Sequence, residues 1–178
     1  LNQIQMKFMK TFPKFILLLA ASLLMAGKLM AGDNVLTVAV FDFDSQDEAV
    51  RDLGSKVSTL LDANLSTDPN LIMVERADLE KALGEQELGL SGTVSPDTAA
   101  KVGQLTGAKV LVTGRVFKAE EQTIIVAKVI GTETSRVYGE MVQGGPASSL
   151  TDLSAALAKK IASDVAARGL DIPDVSHV

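Results

Sequence analysis

Cysteine is absent from the 178-residue sequence, and histidine occurs once, at His177. Without cysteine the chain forms no disulfide, has no thiolate nucleophile and offers no cysteine for lipidation, so its core must be stable through packing alone. One histidine next to the C-terminal residue also argues against histidine-based proton transfer and a histidine-rich metal site. A glycine-rich phosphate loop with its lysine and Ser/Thr is missing as well. These absences leave few routes to an enzyme.

Aromatic residues are scarce, and positive charge is in the minority. After residue 31 the aromatic side chains are Phe41, Phe43, Phe117 and Tyr138, which we expect in the core rather than on a base-stacking surface. The chain has 17 basic and 22 acidic residues, and residues 1–31 hold four lysines and no acid. The remainder therefore has 13 basic against 22 acidic residues, a net charge of −9. Such a chain repels phosphate backbones, so nucleic acid is not an expected partner.

The N-terminus has the pattern of a secretory signal peptide. Lys7, Lys10 and Lys14 precede an apolar stretch over residues 15–27, and Ala31 supplies a small residue for cleavage. This stretch is shorter than the roughly 20 apolar residues of a membrane-spanning helix. We predict a cleaved signal peptide, with an uncleaved N-terminal anchor as the alternative. The product would be a periplasmic protein that is not a lipoprotein.

Cleavage after Ala31 divides the sequence into a signal peptide at 1–31 and one domain at 32–178. We expect the core of this domain at about 35–169 and a flexible C-terminal tail at 170–178. About 147 residues are enough for one domain with a sizeable core.

The apolar pattern of the domain predicts the order β-α-β-α-α-β-β-β-α. Residues 35–43 read as a buried strand, and a helix with Asp47 and Glu48 in its first turn follows. Ser95 and Pro96 predict a helix start, and Gly107 predicts a helix end in the left-handed conformation. Two β-branched runs joined by residues 118–122 predict a hairpin, with Gly114 as a bulge. The fold class is an α/β (α+β) layered sandwich, in which helices pack on a mixed sheet with a C-terminal antiparallel β-meander.

Asp42 and Asp44 directly follow the first apolar strand. The position is similar to that of the catalytic pair in haloacid-dehalogenase phosphatases, where one aspartate is the nucleophile, the other a general acid, and Mg²⁺ lies between them. That family also needs a later Ser or Thr, a lysine and a closing acidic pair, and no later strand here ends in paired acids. The favoured interpretation is that both aspartates flank a strand end and help to start the next helix.

Residues 74–116, VERADLEKALGEQELGLSGTVSPDTAAKVGQLTGAKVLVTGRV, resemble the CsgG family, named for a curli production assembly/transport component of the outer membrane. The pattern is a strand ending in Glu-Arg, a helix with two leucines and a Glu-Gln turn, a glycine-bearing loop, a helix ending in Gly-Ala, and a strand carrying glycine. The matching positions, for which the resemblance implies a structural role, are Glu75, Arg76, Leu79, Leu83, Glu85, Gln86, Gly92, Gly107, Ala108 and Gly114. The same fold type resembles an activator of a peptidoglycan synthase and the N-terminal module of the Tol-system propeller protein (TolB).

The resemblance implies a non-enzymatic, exported protein that acts in the periplasm or cell envelope as an assembly or secretion accessory, through binding of protein partners. A homo-oligomeric ring is one possible form. The chain departs from the curli protein because it lacks the lipidated cysteine and a long loop after the first strand. Its hairpin at 110–130 carries several charges and reads as core sheet, so we expect no stable membrane insertion of the mature chain.

Two alternatives remain open at this point. One is a protein regulator of an envelope enzyme, such as a peptidoglycan synthase activator. The remote one is a Mg²⁺-dependent phosphatase that acts through Asp42 and Asp44. For the favoured function we expect no catalytic residue, no metal and no cofactor.

Overall fold

A five-stranded mixed sheet forms the centre of the computed structural model, which describes residues 35–45, 48–85 and 94–168. The elements, in chain order, are β1 (Leu36–Val40), a 3₁₀ turn (Glu48–Val50), α1 (Leu53–Leu65), β2 (Leu71–Met73), α2 (Arg76–Glu85), α3 (Pro96–Thr106), β3 (Val110–Ala119), β4 (Gln122–Gly131), β5 (Val137–Gly144) and α4 (Leu150–Arg168). The predicted order of strands and helices is confirmed.

The strands lie in the order β2-β1-β3-β4-β5. Strand β1 pairs in parallel with both β2 and β3, whereas β3, β4 and β5 form an antiparallel meander. The mixed sheet and its C-terminal meander are therefore as predicted. The β3–β4 hairpin is longer than expected, because pairing continues to Ala119 and Gln122 and leaves a turn of Glu120 and Glu121. Glu120 adopts a φ of 55°, the left-handed conformation that so short a turn requires.

Helices pack on both faces of the sheet around β1, and the side chains of this strand alternate between two cores. Val38 and Val40 pack with α1 and α4, whereas Ala39 and Phe41 pack with α2 and α3. The helices contribute their apolar stripes: Val57, Leu61 and Leu65 of α1, Leu79 and Leu83 of α2, Ala99 and Val102 of α3, and Leu153, Leu157, Ile161 and Val165 of α4. The result is three layers, with the sheet in the middle.

The predicted ends of α3 are confirmed. The Ser95 hydroxyl accepts a hydrogen bond from the Thr98 N–H at 3.2 Å, and Pro96 is the first helical residue. At the other end Gly107 has a φ of 74°, and its N–H donates to the Gly103 carbonyl at 2.8 Å. Helix α1 differs from the prediction, since it begins at Leu53 and Glu48 lies in a separate 3₁₀ turn.

Gly114 is not a bulge, and that prediction is wrong. It pairs regularly with Ala127, inside an unbroken ladder between β3 and β4. A Cβ at this position would lie 2.2 Å from the Val126 carbonyl oxygen and 2.3 Å from Cε1 of Phe43. Glycine is needed because the Phe43 ring lies directly on the strand, a close approach that leaves no space for a side chain.

We expect Gly114→Ala to lower the free energy of unfolding by about 1–3 kcal/mol, the usual cost of adding a methyl group to a filled core. Urea unfolding of the mature chain measures the change. Gly139→Ala is the matched control in the same sheet, because a Cβ there meets nothing within 4 Å. Equal stabilities of the two variants would show that the Phe43 contact does not constrain residue 114.

Candidate functional site

A cleft lies at the carboxyl ends of β1 and β2, beside α1 and the start of α2. It encloses about 310 Å³ and is lined by Val40, Asp42, Ser55, Ser58, Thr59, Asp62, Met73, Val74, Glu75 and Arg76. The carboxyl ends of neighbouring parallel strands meet at one edge of a sheet, which is where α/β proteins commonly bind ligands. Asp42, which follows β1, is one of the two aspartates on which the phosphatase hypothesis rests.

Asp42 is fully engaged by two other elements. Its Oδ1 accepts hydrogen bonds at 2.9 Å from Nη1 of Arg76 and at 2.9 Å from the hydroxyl of Ser58, while its Oδ2 accepts one from Nη2 of Arg76. The bonds from Arg76 and Ser58 hold the pKa of the Asp42 carboxyl below its ordinary value, although burial acts in the opposite direction. A bidentate arginine and a serine thus fix this carboxylate in its ionised form.

Arg76 is the first residue of α2, and it joins two acids. Besides Asp42, it donates from Nε to Oε1 of Glu80 at 3.2 Å, one turn further along the helix. The hydrogen bond to Asp42 raises the pKa of the Arg76 guanidinium. Among the described lining residues Arg76 alone is basic, and both acids already hold it. The cleft therefore offers no free cation to a phosphate group.

Asp44 is held on the other side of β1. Nε of Arg115, on β3, donates to Oδ2 of Asp44 at 3.2 Å, and the aspartate side chain is only 9% exposed. Backbone bonds of 2.8 Å join the Asp44 N–H to the Gly114 carbonyl and the Val116 N–H to the Asp44 carbonyl. Asp44 does not line the cleft that contains Asp42. The two aspartates bind separate arginines. The prediction that they help to start the next helix is wrong, because α1 begins at Leu53.

Asp62 and Glu75 give the remainder of the cleft an acidic character. Burial raises the pKa of the Asp62 carboxyl, and the charge of Glu75 raises it further, against the opposing effect of Arg76. In the part of the chain that the structure describes, no group of three or more His, Cys, Asp or Glu side chains is arranged to hold a metal ion. The charged side chains that line the cleft are therefore three acids, Asp42, Asp62 and Glu75, and one arginine, Arg76.

The residues of the CsgG-like pattern fall into separate places in the fold. Glu75 lines the cleft and Arg76 forms its ion pair, while Leu79 and Leu83 are buried beneath α2. Glu85 is the last residue of α2, and Gln86 and Gly92 lie outside the described residues.

The remaining motif positions lie where the chain turns from α3 into β3, and in β3 itself. Gly107 ends α3 in the left-handed conformation, Ala108 is 1% exposed beneath the helix, and Gly114 lies under Phe43. Sequence reasoning missed the pairing of Asp42 with Arg76. The signal was present, because both residues follow neighbouring strands that the order of elements places side by side.

The fold and cleft define an α/β sandwich domain with helices on both faces of a mixed sheet. The chain belongs to the CsgG family: residues 20–139 match the family described as "Curli production assembly/transport component CsgG". The resemblance inferred from residues 74–116 is thereby confirmed. Among the described residues, no helix is both long and apolar enough to cross a membrane.

Solved structures share the fold at low sequence identity. The LpoB C-terminal domain from Salmonella enterica is 8% identical with a TM-score of 0.50, and the match covers 66% of this chain and 88% of that domain. TolB from Acinetobacter baumannii is 12% identical with a TM-score of 0.51, over 76% of this chain and 29% of TolB. These likenesses concern the fold alone.

A curated relative matches only part of the chain. The ATP-dependent rRNA helicase RRP3 of Debaryomyces hansenii is 32% identical over 78 residues, which are 43% of this chain. The chain spans 16% of the length of that helicase. The match therefore concerns a small part of a much larger protein.

We expect Asp42 and Arg76 to be energetically coupled. Alanine substitutions of each, singly and together, should give a coupling energy of about 1 kcal/mol in urea unfolding, because the pair is bidentate but the arginine side chain is 45% exposed. The matched control is the Arg51–Glu48 pair, whose side chains are 71% and 88% exposed and should show no measurable coupling. Purely additive effects at Asp42 and Arg76 would contradict the geometry.

The contribution of Asp42 should also depend on pH. Its folded-state pKa lies below the ordinary 3.8, so the ionised carboxylate stabilises the fold above that value and the stabilisation is lost as the pH falls through the folded-state pKa. The stability difference between the wild type and Asp42→Asn should therefore be constant from about pH 7 to pH 5 and shrink below about pH 4. Urea unfolding along this series measures it. A difference that vanishes near neutral pH would indicate another origin.

Proposed function

We propose that this chain is a non-enzymatic, exported member of the CsgG family that acts in the periplasm or cell envelope as an assembly or secretion accessory, by binding protein partners. The observation that carries the proposal is the family match over residues 20–139, which includes most of the folded domain. Of the motif residues, Glu75 and Arg76 lie in the cleft, Leu79 and Leu83 lie in the core, and Gly107, Ala108 and Gly114 lie in or after the α3–β3 connection, which supports a structural role for them.

The state of the two aspartates supports a function without catalysis. A phosphatase nucleophile must keep an oxygen free to attack phosphorus, with a divalent cation beside it. Here Arg76 engages both oxygens of Asp42, and Arg115 holds Asp44 on the far side of β1. The separation of the pair removes the geometry that the phosphatase hypothesis needed.

The position of the β3–β4 hairpin limits which surfaces are available for binding a partner protein. Its side chains enter the main core at Val110, Val112, Val116, Ile125 and Val129, and its strands pair with β1 on one side and β5 on the other. The hairpin is therefore built into the domain, and binding would use the surface of the sheet or helices. This feature favours the second candidate, a regulator of an envelope enzyme such as a peptidoglycan synthase activator, where a folded domain binds without forming a ring.

Production of the 178-residue chain in its native cell, followed by fractionation of that cell, tests the proposal. We expect the protein to begin at Gly32 by intact mass, to be recovered in the periplasmic fraction, and to co-purify with an envelope protein after cross-linking in the cell. Ala31→Arg is the control for processing, because signal cleavage requires a small residue at that position. Recovery in the cytoplasm with residues 1–31 attached would contradict export.

Two measurements on the mature chain separate the candidates. Light scattering should show an assembly of several subunits for the secretion accessory, and a monomer that binds an envelope enzyme for the regulator. Turnover of a phosphate ester with Mg²⁺ should be absent from the wild type and from Asp42→Asn alike. Turnover that the substitution abolishes would overturn the non-enzymatic function.

A further inference from the structure

Within residues 35–45, 48–85 and 94–168, no helix packs on one half of the sheet face opposite α1 and α4. Helices α2 and α3 pack on Ala39, Phe41, Leu111 and Ile130, near β1 and the start of β3. Beyond them, the side chains of β3, β4 and β5 that point away from α1 and α4 form a surface that we call the open face. Its members are Arg115, Phe117, Ile124, Val126, Lys128, Val137 and Met141.

The centre of the open face is apolar. Phe117 lies opposite Ile124, and Val126 lies opposite Met141, so the four side chains form two adjoining cross-strand pairs. None of them belongs to, or packs against, either hydrophobic core. Met141 is 50% exposed, and Val137 at the edge of the patch is 46% exposed. A contiguous apolar surface of this kind marks an interaction site more often than a free surface.

The exposed charged side chains of the open face are basic, because the one acid that reaches it, Asp44, is only 9% exposed and pairs with Arg115. Arg115 and Lys128 flank Val126, and the described positions of β3–β5 on this face include no Asp or Glu. The chain as a whole is acidic, with a net charge of −5. Arg115 contacts Asp44 through Nε, and its side chain remains 58% exposed. An apolar patch with a cationic margin is therefore the exception on an acidic protein.

The charges of the open face favour a partner protein over a second copy of this chain as its ligand. A face-to-face pair of copies would bring the exposed Lys128 and Arg115 of one copy toward those of the other. The Asp44 beside Arg115 is only 9% exposed, so the like charges at the surface would oppose association. A segment that carries carboxylates beside apolar side chains is complementary to both parts of the surface. Electrostatic complementarity of this kind determines partner choice and association rate.

We propose that the open face binds a segment of a partner protein in which apolar side chains are flanked by aspartate or glutamate. The inference rests on the proposed protein-binding function and adds the surface and the chemistry of the partner. Met141 and Val126 supply the apolar contact, and Lys128 and Arg115 pair with the carboxylates at its margin.

Two synthetic peptides test the chemistry. Both have the same central apolar sequence, and they differ only in having glutamates or lysines at both ends. Titration into isotope-labelled mature chain, followed by NMR, should show shifts at open-face amides with the glutamate peptide, at an affinity that falls as salt is added. The lysine peptide should bind at least about tenfold more weakly.

Variants of the open face give the matched comparison. Met141→Asp should weaken binding of the glutamate peptide about tenfold or more, because it places a charge in the apolar centre. Ile72→Asp is the control, since Ile72 is a 57% exposed apolar residue on β2, at the opposite edge of the same sheet, and should leave the affinity unchanged. Lys128→Glu keeps the apolar centre and should shift the preference toward the lysine peptide.

Several results would overturn the proposal. These are equal affinity for the two peptides, shifts that map to another surface, no shift from either peptide at about millimolar concentration, or a dimer of the pure chain that Met141→Asp disperses. The last result would identify a second copy as the occupant. Each would leave the envelope function standing, because signal processing and co-purification of the native chain test that function separately.

Discussion

Strand β1 is the element on which both helical layers depend. Its last residues, from Val38 to Val40, and the next residue, Phe41, are at most 5% exposed. They alternate between the core under α1 and α4 and the core under α2 and α3. Its backbone is paired on both sides, with β2 and with β3. A strand in this position has no solvent-facing side, so each of these residues must be apolar and each helix must present its stripe to the correct face. The positions of the cleft and the open face both follow from this arrangement.

At the carboxyl end of β1 the chain passes from the core to the surface, and two ion pairs lie at this point. The side chain of Asp44 is 9% exposed, and an ionised carboxylate at that depth requires a partner. Arg115 supplies it from β3, while Arg76 serves Asp42 from the start of α2. An arginine in the first turn of a helix is unfavourable to the helix dipole. Its hydrogen bonds to Asp42 and Glu80 offset that cost, and α2 is thereby tied to the strand beneath it.

Local patterns were sufficient for the elements but not for the contacts between them. The order of the strands and helices, the Ser95–Pro96 start and the Gly107 end of α3 are all encoded in short stretches of sequence, and all are confirmed. The ion pairs join residues 34 and 71 positions apart, so no local pattern contains them. The bulge predicted at Gly114 failed for the same reason, since the need for glycine comes from the ring of Phe43. A glycine inside a strand commonly marks either a bulge or the close approach of another group. Only the neighbour that packs against the glycine distinguishes the two.

The open face raises the question of whether its apolar side chains serve the fold or a partner. Val126 and Ile124 have a sufficient local reason, because β-branched residues favour strands and form cross-strand pairs. Met141 has no such reason: it lacks a β-branched carbon, belongs to neither core and leaves half of its surface in water. A polar residue at this position would keep the backbone pairing with Val126 and remove an exposed apolar surface. Fold stability therefore explains the branched residues but not Met141, and binding explains all three.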